Sequence, residues 1–360
     1  ILVIEVNGET VFMATSVDLT APIEGALSEP DEQDTVTFNA KAFTTEPGAA
    51  VEQLLEKIPG IEVDGSGNMK ALGEDVTKVL VDGKEFFGND PKVATKNLPA
   101  DAIDKVQVYD KKSEEAEFMG IDDGVRDRTI NLLLNEDSKK GYFGNNEAGG
   151  GTGEFFKTGG RLYRFSSHFQ SAVLGMYNNV NEFRFTGKNQ EQFGQQISGL
   201  NTTGAGGLNV SYNAEGNNRY FASYLVSSTK TNLGQTKSTE NFISGGSFIQ
   251  LENLIENERN TPHEVNLGVR HNFNRKHNLN INGNLDVTSN TLSSKLLTDT
   301  RQNGPLVNNL NNNTTSRSDM INGNFRAVHI AKLNGDKTQV KTELFGLYNR
   351  NDSGLDWSNT

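Results

Sequence analysis

The feature that most limits what this chain can fold into is a sustained alternation of apolar and polar residues in its second half. From Asn278 to Asn290, Leu279, Ile281, Gly283, Leu285 and Val287 alternate with Asn280, Asn282, Asn284, Asp286 and Thr288. Successive side chains of an extended chain point to opposite faces, so this segment has one apolar and one polar face. A tilted strand crosses a bilayer in roughly 9 to 11 residues, a length this segment reaches. The turn Asn274-Arg275-Lys276-His277 joins it to a preceding strand, Val265 to Phe273. The unit returns at Ile321, Gly323, Phe325 and Ala327, which alternate with Asn322, Asn324 and Arg326. Asn334-Gly335-Asp336-Lys337 then forms a turn, and Val340, Thr342, Leu344, Gly346 and Tyr348 resume the pattern. Earlier, Leu208 to Tyr212, a turn at Ala214 to Asn218 and a strand Arg219 to Thr231 give another hairpin. Polar stretches at 189–206, 236–261 and 292–318 are expected as long loops. Short turns then gather on one rim and long loops on the other, the asymmetry of outer-membrane barrels.

Composition removes the competing classes. Hydrophobic residues make up 34% of the chain, and no run approaches the roughly 18 to 20 apolar residues of a spanning helix. A membrane-spanning helix is excluded, whereas a barrel hides its apolar content by alternation. The formal net charge of -12 argues against a nucleic-acid partner, because neutralising phosphates needs a basic surface. With no Cys, neither a disulfide framework nor a thiolate metal site can form. Amphipathic strands also build soluble sandwiches and β-helices. Two facts favour the barrel: these strands exceed the roughly 5 to 6 residues of globular sheets, and a different kind of domain precedes them.

That domain is marked by three signals between Pro47 and Leu134. In Leu54 to Val63, with Val51 just before it, the residues Val51, Leu54, Leu55 and Ile58 share one face of a short helix. Pro59-Gly60 must end it, and a strand Ile61 to Val63 follows. In Lys78 to Gly88, the apolar run Val79 to Val81 meets Asp82-Gly83, a strong two-residue hairpin signal, before a second strand through Phe86. In Leu98 to Asp110, Pro99 opens a helix with Asp101 in its first turn, leading into a strand Val106 to Tyr109. Ahead of these, Ile1 to Met13 is expected as a strand pair around Asn7-Gly8, and Ser16 to Gln33 as a linker.

These residues resemble the plug domain of TonB-dependent outer-membrane receptors, in the variant carrying Val-Asp-Gly-Lys-Glu-Phe-Phe-Gly (Val81 to Gly88) and Asp-Lys-Val-Gln-Val-Tyr-Asp-Lys-Lys-Ser (Asp104 to Ser113). The likeness continues through Gly120 to Gly124, the strand Thr129 to Leu134, and Lys139 to Gly144, covering residues 34 to 145. It implies a transmembrane antiparallel β-barrel with a small mixed α/β plug domain in its lumen. The expected division is an N-terminal segment at 1–33, a plug at 34–138 and part of a barrel at 139–360. Hairpins from Gly141 onward give on the order of eight to ten strands against the 22 of plugged transporters, so the chain is expected to be the N-terminal part of a longer protein. The resemblance implies gated uptake of a substrate across the outer membrane of a Gram-negative bacterium. The implied partners are outer-membrane lipid, and TonB or a surface lipoprotein subunit. In this family a short extended segment ahead of the plug pairs with TonB, and none is identified in residues 1–33. The rival readings are a plugged barrel that serves as a subunit of an outer-membrane complex without transporting, and a secreted binding protein.

Candidate chemistry reads as structural. Asp122, Asp123 and Asp127 suggest a solvated turn balanced by Arg126 and Arg128 more than an acid pair or cation site. Asp64 to Asn68 is oxygen-rich but lacks the later bidentate Glu of an EF-hand loop, so it is read as a β-turn. Gly149 to Gly153 lacks the Lys-Ser/Thr of a phosphate loop, and these glycines are expected to let a strand pass close to the plug or to relieve crowding. His168, His263, His271, His277 and His329 show no ligand spacing. Asn201 and Asn209 fall in Asn-x-Ser/Thr sequons of the kind an Asn-rich sequence produces by chance. No catalytic, metal, cofactor-binding or substrate-binding residue is assigned, no cofactor is expected, and the chain is not expected to be an enzyme.

Overall fold

Two kinds of backbone order follow one another along the chain. A computed structural model describes all residues except 1, 7–8, 14–26, 32–34, 66, 88–89, 182–198, 216, 244–245 and 334–337, with side chains from residue 35 onward. Strands β1 (Leu2–Val6) and β2 (Glu9–Met13) pair antiparallel. Strand β3 (Leu27–Asp31) lies within the stretch expected as a linker and pairs with β4 (Thr35–Asn39). Next comes α1 (Val51–Leu55), whose Val51, Leu54 and Leu55 are buried together with Ile58. Gly60, at φ +82°, turns the chain into β5 (Ile61–Val63), which leads a small antiparallel sheet with β6 (Met69–Ala71) and β7 (Glu74–Asp75).

The expected hairpin is β8 (Lys78–Val81) and β9 (Lys84–Glu85). Asp82 and Gly83 both adopt positive φ, as a two-residue primed turn requires. Next is α2 (Pro91–Asn97), capped by Asp90, whose carboxylate accepts from the Lys92 amide at 3.0 Å. The sequence reading passed over this helix, although Asp-Pro at a cap and first turn is its signal. Pro99 opens only a 3-10 turn, Ala100–Ala102, where a longer helix was expected. The chain is already extended at Ile103, because β10 (Ile103–Lys112) buries Ile103, Val106 and Val108 in the sheet. A second helix missed by the sequence reading, α3 (Glu114–Met119), is capped by Ser113 and closed by Gly120 in the left-handed conformation. Strand β11 (Arg126–Leu134) completes a six-stranded sheet of order β3-β4-β10-β11-β8-β9, with β11 and β8 parallel.

From Tyr142 the chain is an antiparallel meander of nine strands: β12 (Tyr142–Gly150), β13 (Phe156–Phe165), β14 (Phe169–Asn178), β15 (Leu200–Ala214), β16 (Asn218–Ile243), β17 (Gly246–Asn274), β18 (His277–Gln302), β19 (Leu306–Leu333) and β20 (Thr338–Asn359). Among the described residues β12 and β20 are the two edges of an open sheet, so barrel closure is not made within it. The stretches 236–261 and 292–318, expected as loops, are strand instead, paired in register through Thr236↔Asn253 and Leu297↔Asn311. Residues 200–206 belong to β15, whereas 189–198 and the turn 334–337 lie outside the described residues. Asn, Ser and Thr report solvent around a segment, and an antiparallel ladder satisfies their backbone as fully as that of apolar residues. The two rims therefore differ less in loop length than in strand extension. At 29 residues β17 runs ~95 Å, far beyond the roughly 9 to 11 residues that span a bilayer.

The alternation has the expected sides. Leu162, Val173, Leu208, Val210, Leu267, Leu285 and Leu344 are exposed on one face. Neighbours of opposite parity, including Tyr163, Phe165, Ala172, Leu174, Asn209 and Asn280, are buried on the other, where the α/β domain is seated.

Candidate functional site between the small domain and the sheet

The domain meets the sheet beside the short turns 166–168 and 275–276, through two unlike surfaces. The first grows from the β8–β9 hairpin. Phe86 and Phe87 leave the hairpin into one continuous apolar core with Tyr163, Phe165, Ala172, Leu174 and Leu225 of the sheet. The Phe86 ring stands edge-on to Phe87 (centroids 4.9 Å apart) and to Phe165 (5.9 Å), while Phe143 stacks on Tyr163 at 5.0 Å. Gly207 admits this cluster, because a Cβ there would sit 3.1 Å from the Phe87 ring and 2.8 Å from Leu225. Polar groups close the margins: the Phe87 amide donates to Asn209 Oδ1 (3.0 Å), the Tyr163 hydroxyl to the Asn97 carbonyl (2.6 Å) and Gln170 Nε2 to the Val81 carbonyl (3.1 Å). Lys84 Nζ donates to the carbonyls of Ser166 (3.0 Å) and Ser167 (2.9 Å), and burial lowers its pKa from the ordinary lysine value.

The second surface is α3. Glu115 accepts from Arg326 at 2.6 Å and from Lys341 at 2.9 Å. Burial alone would push its carboxyl up, but the hydrogen bonds from those two cations outweigh it and hold the group below the usual carboxylate value. Arg270 pairs with Glu114 and, at 3.3 Å, with Glu117. Lys111 also reaches Glu114 and Glu117, and burial brings its ammonium down to about 8. The helix end is tied by Gln339 Nε2 to the Met119 carbonyl (3.0 Å) and by Lys332 over the Phe118 ring (4.9 Å). Ion pairs between the domain and the sheet gather on this side, whereas the hairpin side is apolar with hydrogen bonds at its margins.

The candidate chemistry of the sequence resolves into local structure. Asp122 pairs with Arg126, and Asp123 accepts from the Val125 amide (3.0 Å). Asp127 lies 3.6 Å from Lys78, whereas Arg128 goes to Glu74 (2.8 Å) and Asp110 (3.3 Å), so Arg128 does not balance the aspartate turn. Asp64 folds onto Asn68, accepting from its amide at 2.8 Å and its side chain at 2.7 Å. A Cβ at Gly149 would have open space, and one at Gly150 would only just reach a backbone oxygen, so neither of these two glycines serves the expected close approach. Gly207 does. Asn201 and Asn209 are buried on the inner face, and Asn209 binds the domain. His263 and His271 bond Tyr224 and Tyr220, and His168 bonds Ser167. His277 and His329, 52 residues apart, lie 3.3 Å from each other across β18 and β19. Spacing could not show that. Among the described residues no group of three or more His, Asp or Glu side chains is placed to hold a metal.

No protein-family model matches the chain, and no curated protein matches it. Its structure is similar to the siderophore receptor PiuA from Acinetobacter baumannii (10% identity, 90% of this chain, TM-score 0.28) and to the ferric yersiniabactin uptake receptor FyuA from Yersinia pestis (10%, 93%, 0.28). It is also similar to the alcaligin outer-membrane receptor FauA from Bordetella pertussis (10%, 98%, 0.29). The chain spans 62% of the length of each. All three are receptors, and FauA is an outer-membrane one.

Proposed function

We propose that this chain is the plug-bearing part of an outer-membrane receptor that gates uptake of a substrate. One observation carries this reading: the α/β domain is seated on the inner face of a sheet, where apolar and polar side chains both meet it, while the outer face of that sheet is apolar. A domain so placed blocks a lumen, and an apolar outer face suits lipid. The reading entails outer-membrane lipid around the sheet and TonB as the partner that displaces the plug. Deleting residues 1–134 from the full-length protein should leave an inserted barrel that conducts ions in planar bilayers, with little conductance from the intact form. Equal conductance from both would remove the gating role. A second reading, a plugged barrel acting as a non-transporting subunit beside a surface lipoprotein, draws support from the continuous apolar core joining Phe86 and Phe87 to the wall, because such a contact resists displacement. Substrate uptake into cells, lost on deleting TonB, would decide for transport. Persistence of uptake without TonB would decide against the energised mechanism.

A further inference from the structure

A cavity of ≈ 310 Å³ lies between the β10–α3 corner of the plug and strands β16 to β19. Lys111 and Glu114 line it from the plug, and Arg219, Gly268, Arg270 and Asn280 from the wall. Five acids line it and each has a partner: Glu85 and Asp127 lie beside Lys78, Glu114 beside Lys111 and Arg270, Glu115 accepts from Arg326 and Lys341, and Asp123 from Ser113. Several other polar atoms have no partner. Asn280, 5% exposed, has no partner for either Nδ2 or Oδ1, and Arg270, 9% exposed, has none for Nε. Arg219 forms no ion pair among the described residues, and its bond to the Gly83 carbonyl is long at 3.4 Å. Gly268 shapes the wall of the cavity, since a Cβ there would lie 1.8 Å from the Phe221 ring.

Buried polar groups are nearly always paired, so these atoms define the ligand by what they lack. Two guanidinium groups and an amide N–H call for an oxyanion with several acceptor oxygens. The Asn280 Oδ1 calls in addition for one donated hydrogen. Hydrogen phosphate supplies both, because it keeps a proton at neutral pH. Sulfate and phosphomonoester dianions offer the oxygens without that proton. A cation would meet Arg219, whose charge no carboxylate offsets among the described residues. We infer that the cavity binds inorganic hydrogen phosphate, held by Arg219, Arg270 and Asn280 of the wall beside Lys111 of the plug. The ligand would then fasten α3 to the sheet, by binding only where plug and wall are together.

The inference goes beyond gated uptake and is tested apart from transport, by calorimetric titration of the full chain in detergent at pH 7 with sodium phosphate. One saturable site is expected, with affinity at least tenfold weaker for sulfate and for methyl phosphate. Arg219→Gln, a change at a half-buried residue beside a turn, should weaken phosphate at least tenfold with the strand circular-dichroism signal unchanged. Asn280→Leu should remove the preference for phosphate over sulfate, and Arg219→Gln decides alone if that variant does not fold. Absence of saturable binding, equal affinity for sulfate and phosphate, or full affinity in Arg219→Gln would overturn the inference.

Discussion

The Phe86-Phe87 contact and the α3 contact attach one domain to one sheet by opposite physics. Around Phe86 and Phe87 the plug and the wall share apolar surface, which holds regardless of salt and is lost only by separation. Around α3 the contact is made of ion pairs whose wall partners remain partly open to solvent, with Arg326 40% and Lys341 38% exposed as side chains. Such pairs are screened by salt and individually weak. A pull on the plug should therefore free α3 first and leave the hairpin seated. The two sides of the interface have separate strengths.

The largest effect expected is from Phe87→Ala. Truncating a fully buried aromatic should destabilise the plug–wall assembly by about 3 to 5 kcal/mol, read as a lower midpoint of thermal unfolding in detergent. A loss below about 1 kcal/mol would mean that the hairpin is not the firmer of the two attachments. Next, Leu285→Arg places a charge on the outward face and should cost about 2 to 4 kcal/mol of insertion if it lies near the midplane. The structure sets its polar neighbour Asn284 in a ladder, donating to Asn266 (3.0 Å) and accepting from Asn324 (3.3 Å). Asn284→Ala should then cost about 1 kcal/mol, and equal losses at the two positions would contradict the sidedness of the wall.

Of the same small size is Glu115→Gln, expected to cost about 1 kcal/mol after allowing for solvent around its partners. That loss should vanish in high salt, where the cost of Phe87→Ala persists. Persistence of both would erase the distinction between the two contacts. Acid sharpens the same comparison. The carboxyl of Glu115 is held below its ordinary value of 4.5 by Arg326 and Lys341 against the effect of burial. Its contribution is therefore fully present above about pH 4.5 and is lost as pH falls through the lowered native value. Amide exchange of α3 should rise across that acid range in the wild type and change little in Glu115→Gln, while the β8–β9 hairpin stays protected in both.

Much of this was legible in the chain because it is local. Strand alternation is fixed by the two-residue repeat of an extended backbone, the Asp82-Gly83 hairpin by the need for two positive φ values, and the end of α1 by Pro59-Gly60. Where local signals were overlooked, as at Asp90-Pro91 and at Ser113, helices α2 and α3 were missed. Where composition was taken for conformation, as in 236–261 and 292–318, strands were read as loops.

The sequence by itself determined two kinds of region, one with helix and hairpin signals and one with bilayer-length alternation, because each pattern is carried by residues a few positions apart. Only the tertiary structure decided which side chains meet. Asn209 receives the Phe87 amide from 122 residues away, Arg326 reaches Glu115 across 211, and Gly207 is small because the Phe87 ring lies over it. A local pattern says which face a residue occupies, whereas its partner on that face depends on register and on how two independently patterned surfaces come to fit.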